Sequence, residues 1–156
     1  MLLAVDLGLR TGFALYSTEG RLTRYRSQNL GSQARLRKAA PSLIAQHAEN
    51  LERVVLEGGG AIAEVWKGAA RRRGVRARIV DAEEWRRMLL LPRERRRGAD
   101  AKAAADGLAR DIIAWSGAPN PKGALRHDAA EAICVGLWGC IDAGWLDGVP
   151  PELRRG

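Results

Sequence analysis

Residues 2–6 read Leu-Leu-Ala-Val-Asp, four apolar positions in succession closed by an acid, with Gly8 just beyond. A short apolar run ended by turn residues is the signature of a buried strand. Segments 12–17 and 21–27 flank the turn Thr18-Glu19-Gly20 and complete a three-strand antiparallel meander. In the third, Leu22 and Arg24 share one face and Thr23 and Tyr25 the other, the mixed pattern of a sheet edge. A helix occupies part of 33–50, where Pro41 either opens its second half or kinks it. The β-branched run 53–57 ends in Glu57, and Gly58-Gly59-Gly60 turns the chain into an Ala-rich helix over 61–73. A fifth strand follows at 75–80, and Asp81 caps a helix through Leu90 whose first turn carries Glu83 and Glu84. The basic stretch Pro92 to Gly98 interrupts the pattern before helices at 99–115 and 127–143, with Pro119, Pro121 and Gly123 in the loop between them. This order predicts an α/β fold: a mixed five-stranded sheet, three strands in an antiparallel meander plus two parallel strands, with helices on both faces.

Asp6 is the position that this pattern does not explain. A carboxylate at the mouth of an apolar strand costs several kcal/mol unless a cation, a proton or hydrogen-bond donors compensate it. The strand at 53–57 is expected beside 2–6 and parallel to it, which puts Asp6 and Glu57 together at the carboxyl ends of central strands, where open α/β sheets place their ligands. A third acidic element opens the last helix, Arg126-His127-Asp128-Ala129-Ala130-Glu131. Asp128 and Glu131 are i and i+3 and share one face, and the small residues around them let that helix approach a sheet closely. Taken singly, each acid has a plain structural reading: a turn cap for Asp6, a solvent-facing strand end for Glu57, a macrodipole partner in the helix first turn for Asp128 and Glu131. Together, four carboxylates from three segments repel one another unless divalent cations are present, and hard oxygen ligands suit Mg²⁺ or Mn²⁺. Two such ions would clamp a scissile phosphate between an activated water and the leaving oxygen.

Composition adds the partner. The chain has 156 residues, 46% of them hydrophobic, enough for one domain spanning 1–156. Its formal charge of +8 comes mainly from Arg, which favours a polyanion and nucleic acid first. Eleven Arg lie between positions 71 and 97, among them Arg86, Arg95, Arg96 and Arg97. They flank the acidic elements and, with Arg10, are the candidate phosphate contacts. Gly58 and Gly59 would let a DNA backbone pass close to Glu57, although a tight strand-to-helix turn explains them equally well. The glycine run lacks the following Lys-Ser/Thr of a phosphate-binding loop. Most of the five Trp are core candidates; Trp66 has the alternative of stacking on an unpaired base. His47 reads as an exposed helical residue, and His127 as a possible site residue beside the acids. Cys134 and Cys140 lie six apart in one helix and point to different faces, so no disulfide framework is expected. No 18-residue apolar run, secretory leader or zinc-spaced Cys/His cluster is present in the sequence, and a soluble, cytoplasmic protein without membrane association is expected.

Asp6-Leu7-Gly8 with Thr11-Gly12 following, a strand ending in Glu57, and a C-terminal helix with Asp128-x-x-Glu131 resemble the RuvC-like Holliday-junction resolvases of the ribonuclease H-like superfamily. The resemblance extends in element order over almost the whole chain. It also takes in the segment Trp85 to Leu91 and the following Lys102-Ala103-Ala104-Ala105. It implies a metal-dependent endonuclease that acts as a homodimer, carries two Mg²⁺ or Mn²⁺ ions per site, and nicks opposing strands of a four-way junction symmetrically during recombination and repair. It further implies that Lys102 contacts the phosphate near the cut. Two positions depart from the usual pattern: Glu131 stands where many members have Asp, and His127 directly precedes Asp128. An actin-like or sugar-kinase ATPase also opens with Asp-Leu-Gly and Thr-Gly, but that class clasps its nucleotide between two such domains and only one fits here, so no nucleotide cofactor is expected. A nuclease of the same fold acting on RNA–DNA hybrids or other branched DNA, and a non-catalytic DNA-binding module, remain alternatives, the second disfavoured by the complete set of four acids.

Overall fold

The computed structural model describes residues 1–47 and 49–156. Five strands, β1 (Leu2–Asp6), β2 (Arg10–Tyr16), β3 (Leu22–Asn29), β4 (Arg53–Glu57) and β5 (Arg76–Val80), form one sheet in the order β3-β2-β1-β4-β5. The pairs β3/β2 and β2/β1 are antiparallel, and β1/β4 and β4/β5 are parallel. β1 is central and buries Leu2, Leu3, Ala4 and Val5 on both faces, as its continuous apolar run requires. β3 and β5 are the edges, and both alternate exposed Arg with inward positions. The meander is longer than the apolar pattern indicates: β2 begins at Arg10 and β3 continues to Asn29, because ladder pairing extends through polar residues at the sheet margin.

Helices cover both faces. On one side lie α1 (Gln33–His47) and α2 (Gly60–Arg72), packed over Leu3, Val5, Phe13, Val54 and Leu56. On the other lie α3 (Ala82–Leu89), α4 (Gly98–Ser116) and α5 (His127–Asp142), packed over Leu2, Ala4, Ala14, Tyr16 and Val55. α1 runs through Pro41 as one helix, with Pro41 on its exposed side; of the expected 33–50 range, residue 48 lies outside the described residues. The Asp81 side chain accepts a hydrogen bond from the Glu84 amide at 2.7 Å, so α3 starts at the expected cap. The basic segment after it contains a short 3-10 turn, Pro92–Arg95. Cys134 and Cys140 are both buried and free. No helix of the described residues is long and apolar enough to cross a membrane.

α5 is the helix that the sheet is shaped to receive. Thirteen of its 16 residues are buried, from Asp128 through Cys140. Glycines on both partners allow this depth. A Cβ at Gly136 would meet the Tyr16 ring at 2.2 Å, and one at Gly139 would meet Val55 at 2.8 Å. The Tyr16 hydroxyl donates to the Ile133 carbonyl at 2.5 Å, which pins the axial position of α5 over β2.

Candidate active site

A single cross-strand row carries the site. Ser27, Gly12, Asp6, Glu57 and Val80 are successive register partners across β3, β2, β1, β4 and β5. Register partners project to the same face, and here that is the α5 face, since Ala4 and Val55, two positions back from Asp6 and Glu57, pack in the α5 core. Asp6 and Glu57 therefore stand on adjacent parallel strands, about 4.8 Å apart at the backbone. The turn leaving β1 is held by Thr11, fully buried, whose hydroxyl donates to the Gly8 carbonyl at 2.7 Å. On the β4 side, the Leu7 amide donates to the Glu57 carbonyl at 2.9 Å.

Gly12 brings the third acidic element in. A Cβ there would lie 1.9 Å from the Asp128 carbonyl oxygen and 2.9 Å from the Ala129 nitrogen. The first turn of α5 thus rests directly on bare backbone at the strand position next to Asp6. Asp128 and Glu131 are the only charged residues classed with the buried core among the described residues, at 7% and 3% exposure. Each has a protein partner. The Ser27 hydroxyl donates to Asp128 Oδ2, and Arg86 Nη2 donates to Glu131 Oε1 at 2.9 Å. His127 Nε2 lies 3.5 Å from the same Glu131 oxygen.

The electrostatics follow from this crowding. Burial, then the charge and hydrogen bond of Glu57, then the charges of Glu131 and Asp128, push the Asp6 carboxyl up to about 9. Glu57 is also raised, first by burial and then by Glu131, while its hydrogen bond with Asp6 and the Arg86 guanidinium act in the opposite direction. Both shifts favour the neutral form of these two carboxyls in the metal-free protein. Among the described residues no three acidic, histidine or cysteine side chains are drawn into a ready cation cage. The partners explain this: Glu131 is turned to Arg86, Asp128 to Ser27, and Asp6 to Glu57. The donor set nevertheless fits a hard divalent ion, with carboxylate oxygens only at its centre and an Asp6 proton that such an ion would displace.

The other residues singled out in the sequence fall in different places. Arg10 is exposed at the start of β2, beside the acidic row. Gly58 is half-buried with φ of 137°, a conformation that favours glycine, and Gly59 is exposed. Arg96, Arg97 and Lys102 are exposed; Arg97 pairs with Asp100 at 3.0 Å. Arg95 is half-buried, and its Nε has no hydrogen-bond partner. Arg86, expected on the DNA-facing surface, is instead half-buried against Glu131, with its guanidinium 5.3 Å from the Trp85 ring. Trp66 corrects the stacking alternative: it is fully buried between α1, α2 and the sheet, and its Nε1 donates to the Leu36 carbonyl at 3.1 Å. Its place in the stripe Ala63, Trp66, Ala70 was the signal for burial. Ser27 escaped notice because its role depends on strand register, although counting back from Asp6 through two hairpins leads to it.

No protein-family model and no curated protein matches the chain. Among solved structures, Thermus thermophilus RuvC in complex with a Holliday junction substrate superposes with a TM-score of 0.62 at 14% identity, over 92% of this chain and 94% of that one. A second Thermus thermophilus RuvC structure gives a TM-score of 0.62 at 15% identity, over 92% and 95%. The chain therefore has a RuvC-like fold of the ribonuclease H-like type.

Proposed function

From that fold, we propose that the protein is a divalent-metal-dependent endodeoxyribonuclease that resolves four-way DNA junctions. The observation that carries this reading is the convergence of Asp6, Glu57, Asp128 and Glu131, from three separate segments, with the central carboxyl pushed well above the usual carboxylate range by burial and its acidic neighbours. In this reading Asp6, Glu57, Asp128 and Glu131 are the residues that would hold the Mg²⁺ or Mn²⁺ ions, two per site. When bound, such ions supply an activated water and stabilise the leaving oxygen of the cut phosphodiester.

The protein residues do the positioning. Arg86, paired with Glu131 at 2.9 Å, would be free to meet phosphate at the edge of the site if Glu131 served a cation. Ser27 keeps the Asp128 carboxylate oriented by its hydroxyl. Arg10, Arg95, Arg96, Arg97 and Lys102 provide phosphate contacts without reading sequence, and the bare turn at Gly58 and Gly59 admits the backbone of the cut strand. His127, 3.5 Å from Glu131 and half-exposed, stands between that carboxylate and solvent. Symmetric nicks on opposing strands require two such sites, hence a homodimer acting in recombination and repair.

The test compares a synthetic four-way junction, a linear duplex and an RNA–DNA hybrid as substrates with Mg²⁺. Paired nicks confined to the junction support this function. Preferential cutting of the hybrid would replace it with another nuclease of the same fold, and no cutting of any substrate would leave a DNA-binding module.

A further inference from the structure

The end of the sheet opposite the acidic row holds a second concentration of charge. A cavity of about 460 Å³ opens at the amino ends of β4 and β5, below the C-terminal end of α5. Four arginines line it, Arg53, Arg71, Arg76 and Arg78, against one acid, Asp142. Arg53 and Arg76 are register partners on adjacent strands, and Arg78 stands two positions further along the same face. Like charges placed side by side destabilise a sheet unless something answers them. Arg78 is answered: it pairs with Asp142 at 3.3 Å and Glu84 at 2.6 Å, and lies 5.0 Å from the Trp138 ring. It also accounts for the favourable cation at the α5 C-terminus. Arg53, Arg71 and Arg76 make no ion pair among the described residues, so the cavity carries uncompensated positive charge. Gly74, at its rim, has no atom within 4 Å of where a side chain would begin, which leaves the mouth open.

We propose that this cavity is a second phosphate-binding site, which holds the backbone of a duplex arm at a distance from the acidic site. Guanidinium forks projecting from two strands and a helix end suit the non-bridging oxygens of a phosphodiester better than a point cation would. From Asp128 to Asp142, α5 advances about 21 Å. That separation corresponds to about six base pairs of duplex, so one arm is long enough to touch both places. The site would set the angle at which an arm leaves the cut and would add phosphate contacts on each protomer. This inference rests on the DNA reading above.

Binding measured without cutting separates the two. The dissociation constant of a fluorescent four-way junction is followed over a salt series in Ca²⁺, for the wild type and the Arg53→Gln/Arg76→Gln double variant, with circular dichroism melting as the folding control. Arms of about 12 base pairs reach the cavity and arms of about 4 do not. With long arms, the double variant should lose affinity and show a salt slope shallower by about 1.8, the release expected for two phosphates. With short arms the two proteins should agree. Equal slopes on long arms would overturn the proposal and leave the nuclease reading untouched. Pyrophosphate, titrated calorimetrically, distinguishes the sources: binding that requires Arg53 and Arg76, together with equal DNA slopes, would make this a free-phosphate site and overturn the DNA assignment. If the wild type binds none of these DNAs, both readings fall. A junction that is bound normally but never cut removes only the nuclease reading.

Discussion

Replacing Gly12 by Ala is the smallest perturbation that separates the two halves of the acidic site. The added Cβ would lie 1.9 Å from the Asp128 carbonyl oxygen, where ordinary contact begins at 3.4 Å, so α5 must retreat by about 1.5 Å. Neither partner is a flexible side chain: β2 is held in the sheet on both sides, and α5 is pinned by Tyr16 and Gly136. Overpacking of a rigid contact costs about 1–3 kcal/mol. For a domain of this size each kcal/mol lowers the melting temperature by about 2–4 °C, so a fall of about 2–12 °C is expected. The effect on cutting should be larger than the effect on stability. Asp128 and Glu131 would move away from Asp6 and Glu57 by a distance that, for a positioned reacting group, costs on the order of a hundredfold. The assay is single-turnover cleavage of a junction in Mg²⁺ at a temperature where the variant is fully folded, with binding measured in parallel. A Gly12→Ala protein that melts and cuts like the wild type would refute the claim that close approach of α5 at this position assembles the site.

Three other expectations follow from the same geometry. Without divalent metal, the Asp6 and Glu57 carboxyls bind protons more tightly in the folded state than in the unfolded chain. The associated stability is fully present below about pH 4 and is lost as pH rises through about 9, so metal-free melting temperature should fall across that window while stabilisation by Mg²⁺ grows; a Mg²⁺ shift that is absent or does not change with pH contradicts this. Arg86→Ala leaves Glu131, 3% exposed, with His127 as its one remaining basic neighbour among the described residues, and should destabilise the metal-free protein by on the order of 2–3 kcal/mol, a loss that Mg²⁺ partly restores in thermal melts. Equal losses with and without Mg²⁺ would show that Arg86 does not share Glu131 with an ion. Trp66→Phe removes the donor to the Leu36 carbonyl and should lower stability by about 1–2 kcal/mol with junction affinity unchanged; a selective loss of DNA binding would restore the base-stacking role.

Much of the fold is legible along the chain because local pattern and tertiary role agree. The run Leu2 to Val5 is apolar throughout because β1 is covered on both faces, and that same fact makes Asp6 conspicuous. The parallel pairing of Asp6 with Glu57 follows from two short strands that each end in an acid before a glycine. What escapes the pattern depends on long-range geometry. Arg86 and Glu131 are 45 residues apart, and nothing in their periodicity distinguishes a buried ion pair from an arginine on a DNA-facing helix. Thr11-Gly12 is recognisable as a motif, yet the reason for its glycine, a helix backbone resting on it, requires the docked α5. Trp66 keeps a stacking alternative in the sequence because it lies one turn beyond the glycine run, and only the docked α1 and sheet settle its burial in phase with Ala63 and Ala70.

The most direct test of the central claim is Mg²⁺-dependent cutting of a synthetic four-way junction by Asp6→Asn beside the wild type. Asn removes the carboxylate that would hold the ions while keeping the side-chain shape of the neutral acid. Cutting should fall by on the order of a thousandfold while junction affinity and the metal-free melting temperature are retained. An Asp6→Asn protein that nicks the junction at the wild-type rate would contradict the account.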